Sequence, residues 1–281
     1  MCIVTGANSG IGKETALGLA ELGAHVVMVC RNREKGQLAL EDVRRQSRSS
    51  QVDLMIADLS SQASVRELAK QICAKYPRLD VLINNAGATS PARKLSVDSI
   101  EMTVAGNHLG PALLTALLLP LLKASAPSRI VNVSSDGHRA GRMAYSASDI
   151  QYERRKYHWG SAYSQSKLLM NAYTFELARR LDGTGVTANC LHPGLVATNL
   201  GGPDQALVWK ILFGLARPLM LNVQKGAETS LYVASDPKLT GVSGKYFAKS
   251  KIAESSPFSR DPTLMAEVWS WTEKMTRQPL A

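Results

Sequence analysis

The chain has 281 residues, enough for one substantial α/β domain, and its 45% hydrophobic and 20% charged residues exclude wholesale disorder. The net charge of +10 raises the question of a nucleic acid or an anionic membrane. The densest basic cluster, Arg154, Arg155 and Lys156, is short and typical of solvated surface, so no nucleic-acid partner is expected and a polyanionic cofactor accounts for part of the charge.

Short apolar runs rich in Val and Ile alternate with longer helical patterns along the chain. The predicted buried strands are Met1–Val4, His25–Cys30, Val52–Ala57, Val81–Ile83, Ile130–Val133 and Val186–Cys190. The predicted helices are Gly10–Leu22, Arg33–Gln46, Gln62–Lys75, Ser96–Lys123 and Ser164–Leu181. Because each helical segment is far longer than a hairpin turn, neighbouring strands should run parallel. The pattern predicts an α/β fold, a doubly wound parallel sheet with helices on both faces, in one domain over residues 1–281.

A glycine-rich turn follows the first strand and opens a helix, with the sequence Thr5-Gly6-Ala7-Asn8-Ser9-Gly10-Ile11-Gly12. Glycines let the backbone approach a pyrophosphate, and the helix N-terminus offers free N–H groups. A turn needed only for packing is the alternative, but the strand–turn–helix context favours dinucleotide binding and a Rossmann-type sheet. The predicted cofactor-binding residues of this turn are Gly6, Asn8, Ser9, Gly10, Ile11 and Gly12.

The end of the second predicted strand distinguishes the two nicotinamide cofactors. An acidic residue there would bind the ribose 2′-hydroxyl of NAD(H), whereas a basic residue accommodates a 2′-phosphate. This strand ends Val29-Cys30-Arg31-Asn32-Arg33, without an acid, and the Arg31 guanidinium can form a charged fork on the phosphate. The sequence therefore favours NADP(H) over NAD(H); a solvated loop arginine is the alternative, and it suits Arg33 better than Arg31.

Cysteine and histidine usage indicates neither disulfides nor a metal site. The four cysteines (Cys2, Cys30, Cys73, Cys190) are scattered and the five histidines are isolated. Reduced thiols in a cytoplasmic compartment are expected, with no bound metal. Met1 runs directly into an apolar strand, so no signal peptide is expected. The apolar stretch Leu113–Leu122 is too short to span a bilayer, which predicts no transmembrane segment.

Further motifs follow in order: Asp58-Leu59, Asn84-Asn85-Ala86-Gly87, Asn107-His108-Leu109-Gly110, Ser134-Ser135, Tyr163-Ser164-Gln165-Ser166-Lys167 and Pro193-Gly194-Leu195-Val196-Ala197-Thr198. With the glycine turn, they resemble the short-chain dehydrogenase/reductase superfamily over essentially the whole sequence. Within it, His192-Pro193-Gly194, Ser243-Gly244-Lys245-Tyr246-Phe247 and the long segment before Tyr163 look most like the retinol dehydrogenase group, with protochlorophyllide reductase-like proteins as close relatives. The resemblance implies a cofactor half at about 1–135 and a catalytic and substrate half at about 136–281.

The resemblance also assigns cofactor contacts beyond the first turn. It places Asp58 and Leu59 beside the adenine, and Thr198 and the backbone near Val196 at the nicotinamide carboxamide. The further residues that it assigns to the cofactor are Asn84, Ala86, Gly87, Tyr163, Lys167, Pro193 and Gly194. Asn84 and Asn85 have an alternative role, since either can simply stabilise the turn after a strand. His192 is expected to be a structural hydrogen-bonding partner rather than a catalyst.

Tyr163 is the predicted proton-transferring residue. A phenol is a poor base at neutral pH and needs a cationic neighbour; Tyr163 and Lys167 are four residues apart, so on a helix they share one face. Lys167 is expected to lower the pKa of Tyr163, and the resemblance adds that it holds the nicotinamide ribose. Ser135 would donate a hydrogen bond to the developing alkoxide. By resemblance, Asn107 positions a water that relays protons to Lys167.

A second segment, Tyr152-Glu153-Arg154-Arg155-Lys156, has the same Tyr-x-x-x-Lys spacing. Bulky charged residues fill it and no apolar helical stripe follows it. Tyr163 instead leads into an apolar helix face formed by Leu168, Leu169, Tyr173 and Leu177. The sequence therefore favours Tyr163 as the catalytic residue and predicts that Tyr152 is a surface or lid residue.

The substrate pocket is expected to use the 27 residues between Ser135 and Tyr163, as a lid, and the apolar stretch Leu207–Leu215. If that stretch lines the site rather than packing on the core, the substrate is a bulky apolar alcohol or carbonyl such as a retinoid, steroid or aliphatic aldehyde or ketone. A catalytically silent NADP-binding regulatory protein of the same fold is the alternative, disfavoured because Asn107, Ser135, Tyr163 and Lys167 are all present. A nucleotide-sugar epimerase would typically be longer, and a methyltransferase would lack these four residues.

Two features of the sequence, the apolar stretch Leu113–Leu122 and its first residues, bear on assembly and membrane association. Leu113–Leu122 is apolar nearly all round, which predicts a helix buried on more than one side and, by resemblance, a homodimer or homotetramer. The retinol dehydrogenase group often carries an N-terminal membrane anchor, whereas this sequence begins inside its first strand. Membrane association is therefore expected only if upstream residues are missing.

Overall fold

A computed structural model describes residues 1–194 and 222–281 of the chain. Eight strands form one sheet: β1 (Cys2–Thr5), β2 (Val26–Cys30), β3 (Val52–Ile56), β4 (Val81–Asn84), β5 (Ser128–Val133), β6 (Val186–His192), β7 (Tyr246–Ala248) and β8 (Lys251–Ala253). Their order is β3-β2-β1-β4-β5-β6-β7-β8, and all pairs are parallel except β7 with β8. The predicted doubly wound parallel sheet is confirmed.

The described helices are α1 (Gly10–Glu21), α2 (Arg33–Ser47), α3 (Gln62–Lys75), α4 (Met102–Val104), α5 (Gly110–Ala124), α6 (Gly141–Ala144), α7 (Trp159–Arg180), α8 (Val223–Ser235) and α9 (Pro262–Thr276). A π-helical turn, Ala105–Leu109, joins α4 to α5. One core packs α3, α5 and α7 on one face of the sheet, and a second packs α1, α2 and α8 on the other. Strand side chains alternate between the two: Ile3 points into the first core and Val4 into the second.

The structure corrects the starts of two predicted helices and adds elements that the sequence did not predict. The helix predicted from Ser96 begins at Met102, because the buried Glu101 carboxylate accepts the N–H groups of Thr103 and Val104 at 2.9 Å and so caps the helix there. The helix predicted from Ser164 begins at Trp159, which places Tyr163 inside the helix. The hairpin β7–β8 and the helices α8 and α9 were not predicted.

Helix α5 contains the apolar stretch Leu113–Leu122 and is buried within one chain. Leu113, Leu114, Leu118 and Leu122 are fully buried in the α3–α5–α7 core. Burial within one chain therefore explains why this stretch is apolar, and no partner subunit is needed to cover it. The apolar stretch no longer supports a homodimer or homotetramer, which stays a prediction. Over the described residues, one continuous helical run, Met102–Ala124, is long and apolar enough to cross a membrane, and most of it is buried in this core.

Candidate active site

The glycine turn is packed so tightly that its glycines cannot be replaced without displacing the backbone. Gly6 has a φ of +67°, and a Cβ there would lie 2.9 Å from the Cα of Ala86. A Cβ on Gly12 would lie 2.3 Å from Nδ2 of Asn85 and 2.4 Å from the carbonyl oxygen of Gly6. Asn85 fixes this contact by donating from Nδ2 to the carbonyl oxygen of Thr5 at 2.8 Å. The turn, the start of α1 and the segment after β4 therefore form one continuous floor.

A cleft of about 840 Å³ opens above this floor at the carboxyl ends of the parallel strands. It lies where the strand order reverses between β1 and β4, the place where sheets of this kind bind ligands. The sequence-predicted residues that line the cleft are Gly6, Asn8, Ser9, Gly10, Ile11, Gly12, Arg31, Asp58, Leu59, Ala86, Gly87, Asn107, Tyr163, Lys167 and Pro193. The cleft therefore brings together the glycine turn, the end of β2 and two residues of α7.

The cleft has free helix N–H groups at the glycine turn and basic side chains at its β2 end. Ser9 caps α1 without a side-chain hydrogen bond, which leaves the first-turn N–H groups free of a competing side-chain acceptor. Arg31 and Lys35 both line the cleft next to β2, and Asn32 caps α2 by accepting the N–H of Lys35 at 2.8 Å. The sequence analysis did not predict that Lys35 lines the cleft. Its position four residues after Arg31, in the first turn of α2, could have indicated this.

The Ser135 hydroxyl and the Tyr163 ring border the same point, since each would lie 3.4 Å from a Cβ on Gly137. Burial raises the pKa of Tyr163, and a hydrogen bond with the Ser135 hydroxyl partly opposes this. The sequence assigned the lowering of this pKa to Lys167; in the structure it comes from Ser135, and burial outweighs it. Ser135 Oγ also accepts the N–H of Gly137 at 3.1 Å, so its own proton can point toward Tyr163 or a bound oxygen.

Lys167 is buried and lies beneath Tyr163. Its Nζ is 5.7 Å from the centre of the Tyr163 ring and donates to the carbonyl oxygen of Val133 at 2.8 Å. Burial lowers the pKa of Lys167 to about 8, because a charged ammonium is disfavoured away from water. Thus this lysine titrates near neutral pH, where it can exchange a proton.

Asn107 lies in the π-helical turn, a local irregularity often found at functional sites. Its Oδ1 accepts the N–H of Ala88 at 2.8 Å, and its Nδ2 donates to the carbonyl oxygen of Ala88 at 2.9 Å and to Ser166 Oγ at 3.1 Å. A Cβ on Gly87 would lie 3.5 Å from Lys167 Nζ and 3.6 Å from Asn107 Oδ1. Both side chains therefore border the same small space over Gly87.

Asn84 does not reach the cleft. Its Nδ2 donates to Thr115 Oγ1 at 3.0 Å and to Asn132 Oδ1 at 2.8 Å, inside the core. Asn84 therefore fits neither the cofactor contact nor the turn-stabilising role, whereas its neighbour Asn85 lines the cleft and bonds the carbonyl oxygen of Thr5. The sequence carried no signal for this difference, because the two asparagines are neighbours and only the pairing of β4 with β5 places Asn84 against Asn132.

The remaining predicted residues follow β6. Pro193 lines the cleft and Gly194 has a φ of +92°. His192 accepts the N–H of Asp136 at its Nδ1 (3.3 Å), a structural contact of the kind that was expected. Val196, Thr198 and the stretch Leu207–Leu215 lie outside the described residues. Within the ranges 1–194 and 222–281, no cluster of His, Cys, Asp and Glu side chains is arranged to hold a metal ion.

The 27 residues between Ser135 and Tyr163 form short helical turns that are bonded to the body of the protein. Gln165 of α7 donates from Nε2 to the carbonyl oxygen of Ile150 at 2.7 Å, and Arg155 Nη2 donates to Gln165 Oε1 at 3.1 Å. Tyr152 lies in this segment with 4% of its surface exposed, so the prediction of a surface residue is wrong for it, while a lid role stays a prediction. The Arg155 guanidinium covers its ring at 4.2 Å and accounts for the burial.

Sequence comparison places these features in a known family. A family model described as short chain dehydrogenase matches residues 1–150. Retinol dehydrogenase 13 of Homo sapiens is 41% identical over 277 residues, which cover 97% of this chain and 83% of that protein. Retinol dehydrogenase 14 of Homo sapiens is 43% identical over 288 residues, covering 97% of this chain and 85% of that protein.

Structural comparison gives the same fold. The crystal structure of an uncharacterised protein from Mycobacterium paratuberculosis matches with a TM-score of 0.79 and 31% identity, over 100% of this chain and 94% of that one. A short-chain dehydrogenase from Escherichia coli CFT073, complexed with NADPH, matches with a TM-score of 0.68 and 24% identity, over 89% of this chain and 96% of that one. At that identity the second likeness concerns the fold alone.

Proposed function

The chain belongs to the short-chain dehydrogenase/reductase family, in its retinol dehydrogenase-like group, and we propose that it interconverts an alcohol and a carbonyl with NADP(H) on a bulky apolar substrate of the retinoid kind. The observation that carries the proposal is that Tyr163 and Lys167 line one dinucleotide-sized cleft, while Ser135 Oγ and the Tyr163 ring border the same point at Gly137. A cofactor-binding protein without turnover would not need a proton donor there.

The cofactor would be held along the whole cleft. The glycine turn and the start of α1 would hold the pyrophosphate, Asp58 and Leu59 the adenine side, and Arg31 the 2′-phosphate. When bound, the nicotinamide supplies or accepts the hydride. Val196 and Thr198 stay predicted contacts of its carboxamide.

Tyr163 would donate the proton when a carbonyl is reduced and accept it when an alcohol is oxidised. Its raised pKa keeps the phenol protonated at neutral pH, which suits a general acid in the reductive direction. Ser135 lies within hydrogen-bonding reach of the Tyr163 hydroxyl and would donate to the same substrate oxygen as negative charge develops on it. Two donors on one oxygen favour the alkoxide-like transition state.

Lys167 and Asn107 would return the proton to Tyr163. With a pKa near 8, Lys167 can gain and lose a proton at neutral pH, and it borders the space over Gly87 together with Asn107. A water bound in this space would link the two side chains. Lys167 Nζ also lines the cleft, where it would bind the nicotinamide ribose.

The compartment of the reaction is proposed to be the cytoplasm. All four cysteines are unpaired, and three of them are buried in the sheet and its flanking core. Reduced thiols are the usual state of such residues in that compartment.

The preference for NADP(H) is tested by a matched pair of arginine variants. Both Arg31 and Arg33 are exposed, but Arg31 lines the cleft and Arg33 does not. A charged hydrogen bond contributes about 1.5–3 kcal/mol, so NADPH should bind at least about tenfold more tightly than NADH. Arg31→Ala should remove most of this preference and Arg33→Ala should leave it, as measured by fluorescence titration of both cofactors. Equal affinities in the wild type would contradict the proposal.

The activity itself is tested by a substrate panel. Purified protein with NADPH should reduce all-trans-retinal or another long apolar aldehyde faster than small polar carbonyls, as followed by the loss of NADPH absorbance. A protein that binds NADPH but reduces no carbonyl would instead be the silent regulatory protein of the same fold.

A further inference from the structure

The imidazole of His138 is fully buried next to the proposed catalytic serine, and the reaction described above makes no use of it. It lies in the short helical turn Asp136–Arg139, which begins directly after Ser135. Its Nδ1 is 2.7 Å from the carbonyl oxygen of Ser135, and its Nε2 is 2.9 Å from the backbone nitrogen of Ser256. The ring therefore bridges the turn after β5 and the segment after β8.

These two contacts fix the tautomer of His138. The backbone N–H of Ser256 can only donate, so Nε2 must be an unprotonated acceptor. Nδ1 then carries the proton and donates it to the carbonyl oxygen of Ser135. Protonating Nε2 would place two N–H groups against each other and break the contact with Ser256.

Ser135 is held on both sides by this turn. Its carbonyl oxygen accepts the backbone N–H of His138 at 3.1 Å in addition to the imidazole Nδ1–H. Its Oγ accepts the N–H of Gly137 at 3.1 Å. Since all three bonds are made by the same short turn, the orientation of the Ser135 hydroxyl depends on the position of the turn.

A second side chain of the turn reaches the same distant segment. Arg139 Nη2 donates to the carbonyl oxygen of Glu254 at 2.6 Å, two residues before Ser256. Arg139 is exposed, whereas His138 is buried against the Tyr246 ring of β7, with 5.1 Å between ring centres. The buried contact is thus the one shielded from competing water.

We propose that His138 is a positioning residue, which holds the Ser135 peptide against the Glu254–Ser256 segment and so fixes the direction in which the Ser135 hydroxyl donates to the substrate. This inference rests on the proposed oxidoreductase activity. It predicts that His138 affects the rate of the chemical step and leaves the cofactor affinity unchanged.

The inference also predicts a pH dependence. The charged and titratable groups around His138 are Asp136 and Arg139 on its own turn, His192 at the end of β6 and Tyr246 on β7. Burial lowers the pKa of His138 below its ordinary value, and the bond to Ser135 only partly opposes this. His138 is therefore neutral at neutral pH, and both of its hydrogen bonds are formed there. As the pH drops through the His138 pKa, kcat for carbonyl reduction should fall. Tyr163 stays protonated over that range, so it does not contribute to this fall in kcat at acidic pH, which we call the acid limb.

Two amide variants separate the two ends of the bridge. In His138→Asn the amide can replace Nδ1 and still donate to Ser135, while in His138→Gln it extends to the position of Nε2 and meets Ser256 instead. Both lose the ring packing on Tyr246, so they are matched in that respect. His138→Phe keeps a ring and loses both bonds.

We expect kcat to fall about 10²-fold in all three variants, the scale of a misplaced catalytic group, because each of them breaks at least one end of the bridge. NADPH affinity should be unchanged in all three, and the acid limb should vanish in His138→Asn. A kcat within a few-fold of the wild type in either amide variant would overturn the inference. An acid limb that persists in His138→Asn would overturn it as well, because it would belong to His192 or Asp136.

A spectroscopic measurement separates this inference from the proposed function. Imidazole ¹⁵N NMR of the full chain should show His138 protonated at Nδ1 and accepting at Nε2. If the wild type reduces no carbonyl, the proposed function fails. The ¹⁵N spectrum then remains the test of whether His138 bridges Ser135 and Ser256. A proton on Nε2 would overturn the bridge whatever the activity.

Discussion

Two Tyr-x-x-x-Lys segments, Tyr152–Lys156 and Tyr163–Lys167, have identical spacing but different backbone conformations and different contacts between tyrosine and lysine. Tyr163 and Lys167 lie on one helix, α7, so the lysine is carried beneath the tyrosine and buried there. Tyr152 has a φ of +53°, a conformation that no helix contains, and Lys156 is exposed. A four-residue spacing therefore brings two side chains together only where the backbone between them is helical.

The residues between Tyr152 and Lys156 make the first segment a structural one. Asp149 is buried and accepts the N–H groups of Glu153 at 2.7 Å and Arg155 at 3.0 Å. Arg155 Nε donates to the same carboxylate at 3.2 Å, and the guanidinium covers the Tyr152 ring. The cation that meets Tyr152 is thus the Arg155 guanidinium, whereas the cation beneath Tyr163 is a lysine with a pKa near 8.

The largest expected difference between the segments is in turnover. Tyr163→Phe removes only the phenolic oxygen, so folding and NADPH affinity should survive while kcat falls by about 10²–10⁴-fold, toward the upper end because no other donor would replace it. Steady-state kinetics on the best carbonyl of the panel, with NADPH titration as the check on binding, gives the result.

Tyr152→Phe is the matched control and should keep kcat within a few-fold of the wild type. The reverse pattern, in which Tyr152 is essential and Tyr163 is dispensable, would overturn the site assignment.

The lysines should differ next, in activity and stability together. Lys167→Met replaces a buried ammonium with an apolar chain of similar length, so turnover should fall about 10²-fold or more. The free energy of unfolding should rise by about 1–2 kcal/mol at pH 7, because removing the buried charge outweighs the lost bond to Val133. Lys156→Met, on the exposed lysine, should change the free energy of unfolding by no more than about 0.5 kcal/mol.

The stability gain should depend on pH. Folding lowers the pKa of Lys167 from about 10.4 to about 8, so between these values the unfolded chain binds more protons than the folded chain. The free energy of unfolding of the wild type therefore rises with pH over that range, and its deficit relative to Lys167→Met should shrink. Urea denaturation at pH 7 and pH 9.5 measures the gap. A gap that stays constant would mean that Lys167 is not perturbed by burial.

The sequence predicted the sheet and most of the cleft because these depend on local patterns. Strand periodicity and the glycine turn placed Gly6, Gly12 and Arg31 on the cleft. The positions that it missed depend on tertiary contacts. Asn84 and Asn85 are neighbours in sequence, and only the pairing of β4 with β5 determines which of them is buried against Asn132.

The same limit applies to charge and to the bridging histidine. Spacing could pair Lys167 with Tyr163 but could not show that burial would lower the lysine pKa and raise that of the tyrosine. His138 and Ser256 are 118 residues apart, and their contact requires the hairpin β7–β8, which the sequence patterns did not reveal. Short hairpin strands such as β7, with three residues, carry too little periodicity to be recognised.

The smallest expected effect is on the stability of Tyr152→Phe. This variant tests whether the Tyr152 hydroxyl or the packing of its ring holds the Tyr152–Lys156 segment in place. The Tyr152 hydroxyl is buried and has no hydrogen-bond partner among residues 1–194 and 222–281. Its ring makes two contacts that a phenylalanine ring would also make. The Arg155 guanidinium carbon lies 4.2 Å from the ring centre, and the Tyr157 ring packs edge-on with 5.5 Å between ring centres. Because removal of an unpaired buried hydroxyl is close to neutral, the free energy of unfolding should change by less than about 0.5 kcal/mol, whereas Tyr152→Ala should cost about 3 kcal/mol or more through lost packing. Urea denaturation of both variants measures this, and a loss above about 1 kcal/mol in Tyr152→Phe would show that the hydroxyl, and not the ring, holds the segment in place.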